Sequence, residues 1–131
     1  MTARGSFNID RQPLDTSTEG ADGIQINRMS IEKTFTGDLT AISRGEMLAA
    51  MTPIKGSAGY VAIEQVSGEL SGKNGSFVLQ HYGIMADGSE RLILEVIPDS
   101  GTGELSGISG SMSIDHGEGQ HSYEFDYTID S

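Results

Sequence analysis

His121-Ser-Tyr-Glu-Phe-Asp-Tyr-Thr-Ile-Asp130 is the stretch on which the rest of the chain is read. Its odd positions, His121, Tyr123, Phe125, Tyr127 and Ile129, carry rings and a branched aliphatic side chain. Its even positions, Ser122, Glu124, Asp126, Thr128 and Asp130, are all polar. Side chains of a strand point alternately to opposite faces, so ten residues of strict alternation predict a strand with one buried and one wet face.

The same rhythm runs backwards through the chain. Ile108, Met112 and Ile114 suggest a strand joined to the last one through Gly117-Glu-Gly119. Arg91 to Ile97 carries Leu92, Leu94 and Val96 on one face. Ser76 to Met85 carries Phe77, Leu79 and His81 on one face, with Val78, Tyr82 and Ile84 on the other. Asp87-Gly88 between them is a two-residue hairpin signal that sets His81 opposite Leu94. Tyr60 to Leu70 comes before, joined through Gly72-Lys-Asn-Gly75. Pairing residue 72 with 75 sets Glu64 opposite Gly83 and His81 opposite Val66.

Ile24 to Thr36 and Leu39 to about Met51 meet at Gly37-Asp38. Apolar residues shift there from even (Ile24, Ile26) to odd (Met29, Ile31, Phe35), which predicts a bulge near Asn27-Arg28. A short first strand holds Phe7 and Ile9, and Gln12 to Gly23 reads as the longest loop. Met47-Leu-Ala-Ala-Met51 suits a helical turn but is too short to nucleate a helix alone. The result is about eight strands in one domain, residues 1–131. Phe7, Phe77, Leu79, Leu92, Leu94, Val96, Met112, Phe125 and Tyr127 are expected in one continuous core, because their parities agree across the hairpins.

A short motif recurs. Thr36-Gly-Asp-Leu-Thr40, Ser67-Gly-Glu-Leu-Ser71 and Thr102-Gly-Glu-Leu-Ser106 are alike, as expected of similar corners in a barrel closed by successive hairpins.

Composition removes several function classes. The chain has 131 residues, enough for a core that needs no disulfide or metal staple. It has no cysteine, which excludes disulfides, zinc–thiolate sites and thiol chemistry. Nineteen acidic against eight basic residues leave a net charge of −11, a surface that repels phosphate backbones and anionic lipid. No nucleic-acid or membrane partner is therefore expected. Met1-Thr-Ala-Arg-Gly-Ser-Phe7 has no apolar run, so no export signal is read and a cytoplasmic location is the expectation. Eighteen glycines without a three-residue period read as turns and bulges.

Tyr60-Val-Ala-Ile-Glu64 with Gly68 and Gly72, then Gly75-Ser-Phe-Val-Leu-Gln-His81 with Gly83, and Ser100-Gly-Thr-Gly-Glu-Leu-Ser-Gly107 carry a family resemblance. Over roughly Phe7 to Tyr127 the chain resembles a family of uncharacterised bacterial proteins grouped only as a domain of unknown function. The resemblance implies an all-β, closed or nearly closed eight-stranded antiparallel barrel similar to allene oxide cyclase and, more loosely, to plant dirigent proteins. It implies no activity. The family pattern includes a tryptophan in the first strand, where this chain has Asn8 and Asp10 and no tryptophan at all.

Several chemical motifs fail on inspection. Gly101-Thr-Gly103 lacks the Lys-Ser/Thr pair of a P-loop and the helix of a dinucleotide turn, so it reads as a tight turn. No Gly-x-Ser-x-Gly elbow exists for a serine hydrolase. His116, Glu118 and His121 are close in sequence but straddle a turn that separates the histidines, so no metal site is assigned. No cofactor is implied.

Polar residues on apolar faces are more informative. Glu64 shares its face with Tyr60, Ala62 and Val66, His81 with Phe77 and Leu79, and Lys33 with Met29, Ile31 and Phe35. The hairpin pairing makes Glu64 and His81 diagonal neighbours, within reach of long side chains. The plain structural reading is a satisfied buried pair that sets register. The functional reading has Glu64 and His81 lining the mouth of the barrel, with Tyr60 and Tyr127 as walls. As a catalyst, Glu64 serves as base, His81 as acid and Lys33 as electrostatic stabiliser. As a binder, the same groups orient the polar end of a small, mainly apolar ligand. Binding module, isomerase or cyclase, and purely structural barrel all remain open at this point. Ile93 and Ile97, beside Val78, Tyr82 and Ile84 on the neighbouring outer face, point to a covered surface and a homo-oligomer, with a dimer favoured.

Overall fold

The computed structural model describes every residue except Ser17, His116, Glu118 and Ser131. Eight strands follow one another: β1 (Thr2–Leu14), β2 (Gln25–Gly37), β3 (Leu39–Met51), β4 (Ala58–Leu70), β5 (Lys73–Ala86), β6 (Ser89–Val96), β7 (Ile108–Asp115) and β8 (His121–Ile129). Each pairs antiparallel with the next, and β8 returns to β1, so the sheet closes into a barrel. Among the described residues the sole helical turn is a 3-10 turn over Gly103–Leu105, and no helix is long and apolar enough to cross a membrane.

The parity read from the sequence places the core. Every residue expected there belongs to one buried cluster, with Leu92 half-buried at its margin. The Asp87-Gly88 hairpin pairs Ala86 with Ser89 and His81 with Leu94, as the two-residue turn dictates. The β4–β5 turn differs from expectation. It is Ser71-Gly72, both at positive φ (48° and 87°), so Leu70 pairs with Lys73. His81 consequently faces Ala62, not Val66, and Glu64 faces Leu79, not Gly83. The error is an even number of positions, so the faces survive it.

Three local expectations are overturned by pairing. The register of β2 with β3 runs unbroken past Asn27 and Arg28, so there is no bulge, and Ile26 lies on the outer face opposite Ala50. Outward apolar residues break an alternation pattern without breaking a ladder. Met47–Met51 is strand, held by β2 on one side and β4 on the other, not a helical turn. β1 is long rather than short, because Arg11 to Leu14 continue to pair with β2, and the following loop begins only at residue 15. The turn before β8 is seen at its two glycines, with the Gln120 N–H donating to the Gly117 carbonyl at 3.1 Å and Gly119 at a φ of 68°, whereas His116 and Glu118 of the rejected metal cluster lie outside the described residues.

The recurring motif builds one end of the barrel. Leu39, Leu70 and Leu105, its three leucines, are at most 1% exposed and plug that end. In two copies the acid bonds the backbone of a neighbouring strand: the Arg4 N–H donates to Asp38 Oδ2 at 2.9 Å, and the Asn74 N–H to Glu104 Oε1 at 3.0 Å. The Tyr123 hydroxyl closes the same end, accepting from the Leu39 N–H and donating to the Thr36 carbonyl, both at 2.9 Å.

Candidate functional site

Three inward side chains meet halfway along the barrel axis. Lys33 comes from β2, between Ile31 and Phe35, Glu64 from β4 and His81 from β5, all essentially buried. The β4–β5 register makes Glu64 and His81 diagonal neighbours. Across the other edge of β4, Glu64 faces Gly45. A methyl group on Gly45 would lie 1.9 Å from the Ile63 carbonyl oxygen, so glycine alone lets β3 run this close beside the carboxylate.

Lys33 Nζ donates to Glu64 Oε2 at 2.9 Å, and His81 Nε2 shares a hydrogen bond with the same oxygen. On the far side of the imidazole, the Tyr60 hydroxyl lies 3.4 Å from His81 Nδ1. Lys33 Nζ also sits 5.0 Å from the centre of the Phe7 ring, whose negative face suits an ammonium. Burial alone pushes the Glu64 carboxyl up. The His81 hydrogen bond and the Lys33 charge outweigh it and hold the group down at about 2. Burial, reinforced by the charges of Glu90 and Glu64, pushes the Tyr60 phenol up to about 12. Tyr60 is therefore a hydrogen-bond donor or acceptor at neutral pH and never an anion.

Above this polar layer the barrel is not filled. A cavity of about 480 Å³ opens at the end opposite the leucine plug, walled by Phe7, Ile9, Ile31, Met47, Met85 and Leu92 among others. Lys33, Tyr60 and His81 contribute to its lining, and Arg11, Lys55 and Glu90 stand around it. The loop 52–57, with Ile54 68% exposed, flanks its entrance. Gly83 faces Tyr60, and a Cβ on it would lie 2.4 Å from the Tyr60 ring. The missing side chain thus seats the tyrosine instead of enlarging the cavity.

The structure separates the candidates. Lys33, Tyr60 and His81 reach the cavity wall. Glu64 lies behind Lys33 and His81 and is fully buried. Tyr127 does not join them. It stacks on Phe125 with ring centres 5.3 Å apart, in the packed core. β8 enters the open end at His121, and Tyr127 lies six residues further along, roughly 20 Å at the usual rise per residue. Arg11, Lys55 and Met85 also line the cavity: Arg11 and Met85 sit at inward positions near strand ends, and Lys55 in the loop between β3 and β4, where no periodic signal points to it. His121, the first of the inward positions read in the last strand, lines it too, stacked on Phe7 at 5.1 Å. Among the described residues no group of three metal-ligating side chains gathers.

Comparison with known proteins adds a family but no activity. A family model described as "Protein of unknown function (DUF3224)" matches residues 3–127. A crystal structure of a protein of unknown function from that family, from Shewanella oneidensis MR-1, is 53% identical. It superposes with a TM-score of 0.97 over 100% of this chain and 98% of that one. No curated protein matches.

Proposed function

This chain belongs to the DUF3224 family of proteins of unknown function, and from its cavity we propose that it binds one small, mainly apolar molecule in the open half of the barrel. The observation that carries this reading is the cavity of about 480 Å³, apolar along most of its wall with a few convergent polar groups. That combination and size are those of small-molecule sites, and an eight-stranded barrel has room for one such ligand when its inward side chains are small or short of the axis. Lys33, His81 and Tyr60 at the floor, with Arg11 and Lys55 near the entrance, orient the polar end.

A second reading rests on the Tyr60–His81–Glu64 chain, which leads from the cavity wall to a buried carboxylate. In it His81 exchanges protons with a bound substrate while Glu64 positions the ring, so Glu64 is not itself the base. Isomerase or cyclase chemistry would need only such a proton shuttle.

Titration with the fluorescent probe 1-anilinonaphthalene-8-sulfonate, followed by displacement with straight-chain alcohols and carboxylic acids, tests the binding reading. Saturable binding at one site, lost in Ala62→Phe while the thermal midpoint is retained, is expected. Equal binding by Ala62→Phe, or none by the native protein, overturns it. A host-derived ligand recovered unchanged after prolonged incubation favours binding, and a converted one favours the shuttle.

A further inference from the structure

The outer surface of the barrel is divided by chemistry. On β7, β8 and β1 the outward positions are Ser109, Ser111, Ser113, Ser122, Glu124 and Asp126, followed by Thr2, Arg4 and Ser6, all polar. On β3 to β6 one register row runs Leu48, Val61, Tyr82, Ile93 across four adjacent strands. These side chains are 45%, 51%, 41% and 44% exposed. At the usual strand spacing the row is about 14 Å long. Ile63, 52% exposed, adjoins it. A continuous apolar row on one side of a barrel whose opposite side is polar calls for a cover.

The two flanks of the row are not alike. On β6, Arg91 lies two residues before Ile93 and Glu95 two residues after it. On β4, Gly59 lies on the Arg91 side of Val61, and Ile63 on the Glu95 side. Arg91 is steadied, its guanidinium 5.8 Å over the Tyr82 ring and 3.4 Å from the Tyr82 hydroxyl. A two-fold axis laid along the row reverses every strand while keeping it over its own copy. Arg91 then faces Glu95 of the second copy, and Ile63 faces the side-chain-free Gly59, each contact made twice. An axis along the strands would instead set Glu95 against Glu46, acid against acid.

We propose that a second copy of this chain covers the Leu48–Val61–Tyr82–Ile93 row, as an isologous dimer whose two-fold axis follows that row. Under this rotation the patch complements itself in charge at Arg91 and Glu95 and in shape at Ile63 and Gly59, as a closed two-fold interface requires. None of Leu48, Val61, Tyr82 and Ile93 lines the cavity, so the proposal stands independently of ligand binding.

Sedimentation velocity of the full chain over a concentration series tests it. The native protein is expected to sediment as a dimer and Val61→Glu as a monomer, with unchanged circular dichroism and thermal midpoint at low concentration. Arg91→Glu is expected to weaken association by roughly tenfold or more, because two like-charged pairs replace two opposite ones. The double variant Arg91→Glu/Glu95→Arg should restore it. A native protein that stays monomeric at its highest soluble concentration overturns the proposal, as does a dimer unaffected by Val61→Glu. A dimer broken by Val61→Glu but indifferent to Arg91→Glu overturns the axis.

Discussion

The two ends of this barrel are built from the same eight strands with the same inward–outward alternation, yet one is solid and the other hollow. At the solid end Phe77 stacks on Phe125 at 5.5 Å, Phe125 on Tyr127 at 5.3 Å, and three leucines close the bottom. At the hollow end Phe7, Ile9, Ile31 and Leu92 stand on the wall, but Met47, Ala49, Met51, Ala58, Ala62 and Met85 are small or flexible. The buried Lys33–Glu64–His81 layer lies between the two. Whether a small barrel becomes a core or a container is therefore decided by the reach of its inward side chains, not by strand number.

Substitutions can break this contrast. The largest effect is expected at the solid end, where Phe77→Ala removes a fully buried ring and should cost about 3–5 kcal/mol in denaturant unfolding. A loss below about 1 kcal/mol would mean that this end is not the packed one.

Next comes the polar layer. Glu64 is held at about 2 against an ordinary value of 4.5. A depressed carboxyl contributes stability above its unfolded value that disappears as pH falls through the folded one. The window is therefore roughly pH 4.5 down to 2, and the contribution is on the order of 3 kcal/mol. Comparing native protein with Glu64→Gln across that window isolates it, and the variant should show the shallower loss. Parallel acid curves would show that the carboxylate is not stabilised by its partners.

A smaller change is expected at the hollow end. Met85→Ala removes a side chain that borders open volume, so its cost should stay near or below about 1 kcal/mol, well short of the usual buried-methionine penalty. A loss as large as that of Phe77→Ala would show the cavity to be closed around Met85. The smallest effect belongs to Tyr60→Phe. It deletes one 3.4 Å contact to His81 and should shift unfolding by less than about 1 kcal/mol, while altering the affinity of a bound probe. Unchanged probe affinity would remove Tyr60 from the floor of the site.

Much of the site could be read in advance, and the part that could not has an identifiable cause. Glu64, His81 and Lys33 stand out in the sequence as polar residues breaking apolar faces, and an unpaired charge there is costly enough that partners are required. Tyr60 was found the same way. Tyr127 shows the same signature, a polar-tipped residue on an apolar face, and yet belongs to the solid end. Face is a property of parity, but depth along the axis is not. Arg11 and Lys55 gave no sign because their side chains converge on the entrance only after distant strands have closed.

The sequence by itself determined which side of the strands faces inward, except at the start of β2 and the end of β3, together with the number of strands, the Asp87-Gly88 hairpin and the composition of the core. Each follows from alternation or turn chemistry within about ten residues. Only the tertiary structure decided that Ser71-Gly72 makes the β4–β5 turn, that β2 runs straight past Asn27, and that Lys33 meets Glu64 and His81 at one level. The height of a residue in a closed barrel is set by the stagger accumulated over every strand pair around the circumference. That quantity is shared by the whole sheet, and no segment of the chain carries it alone.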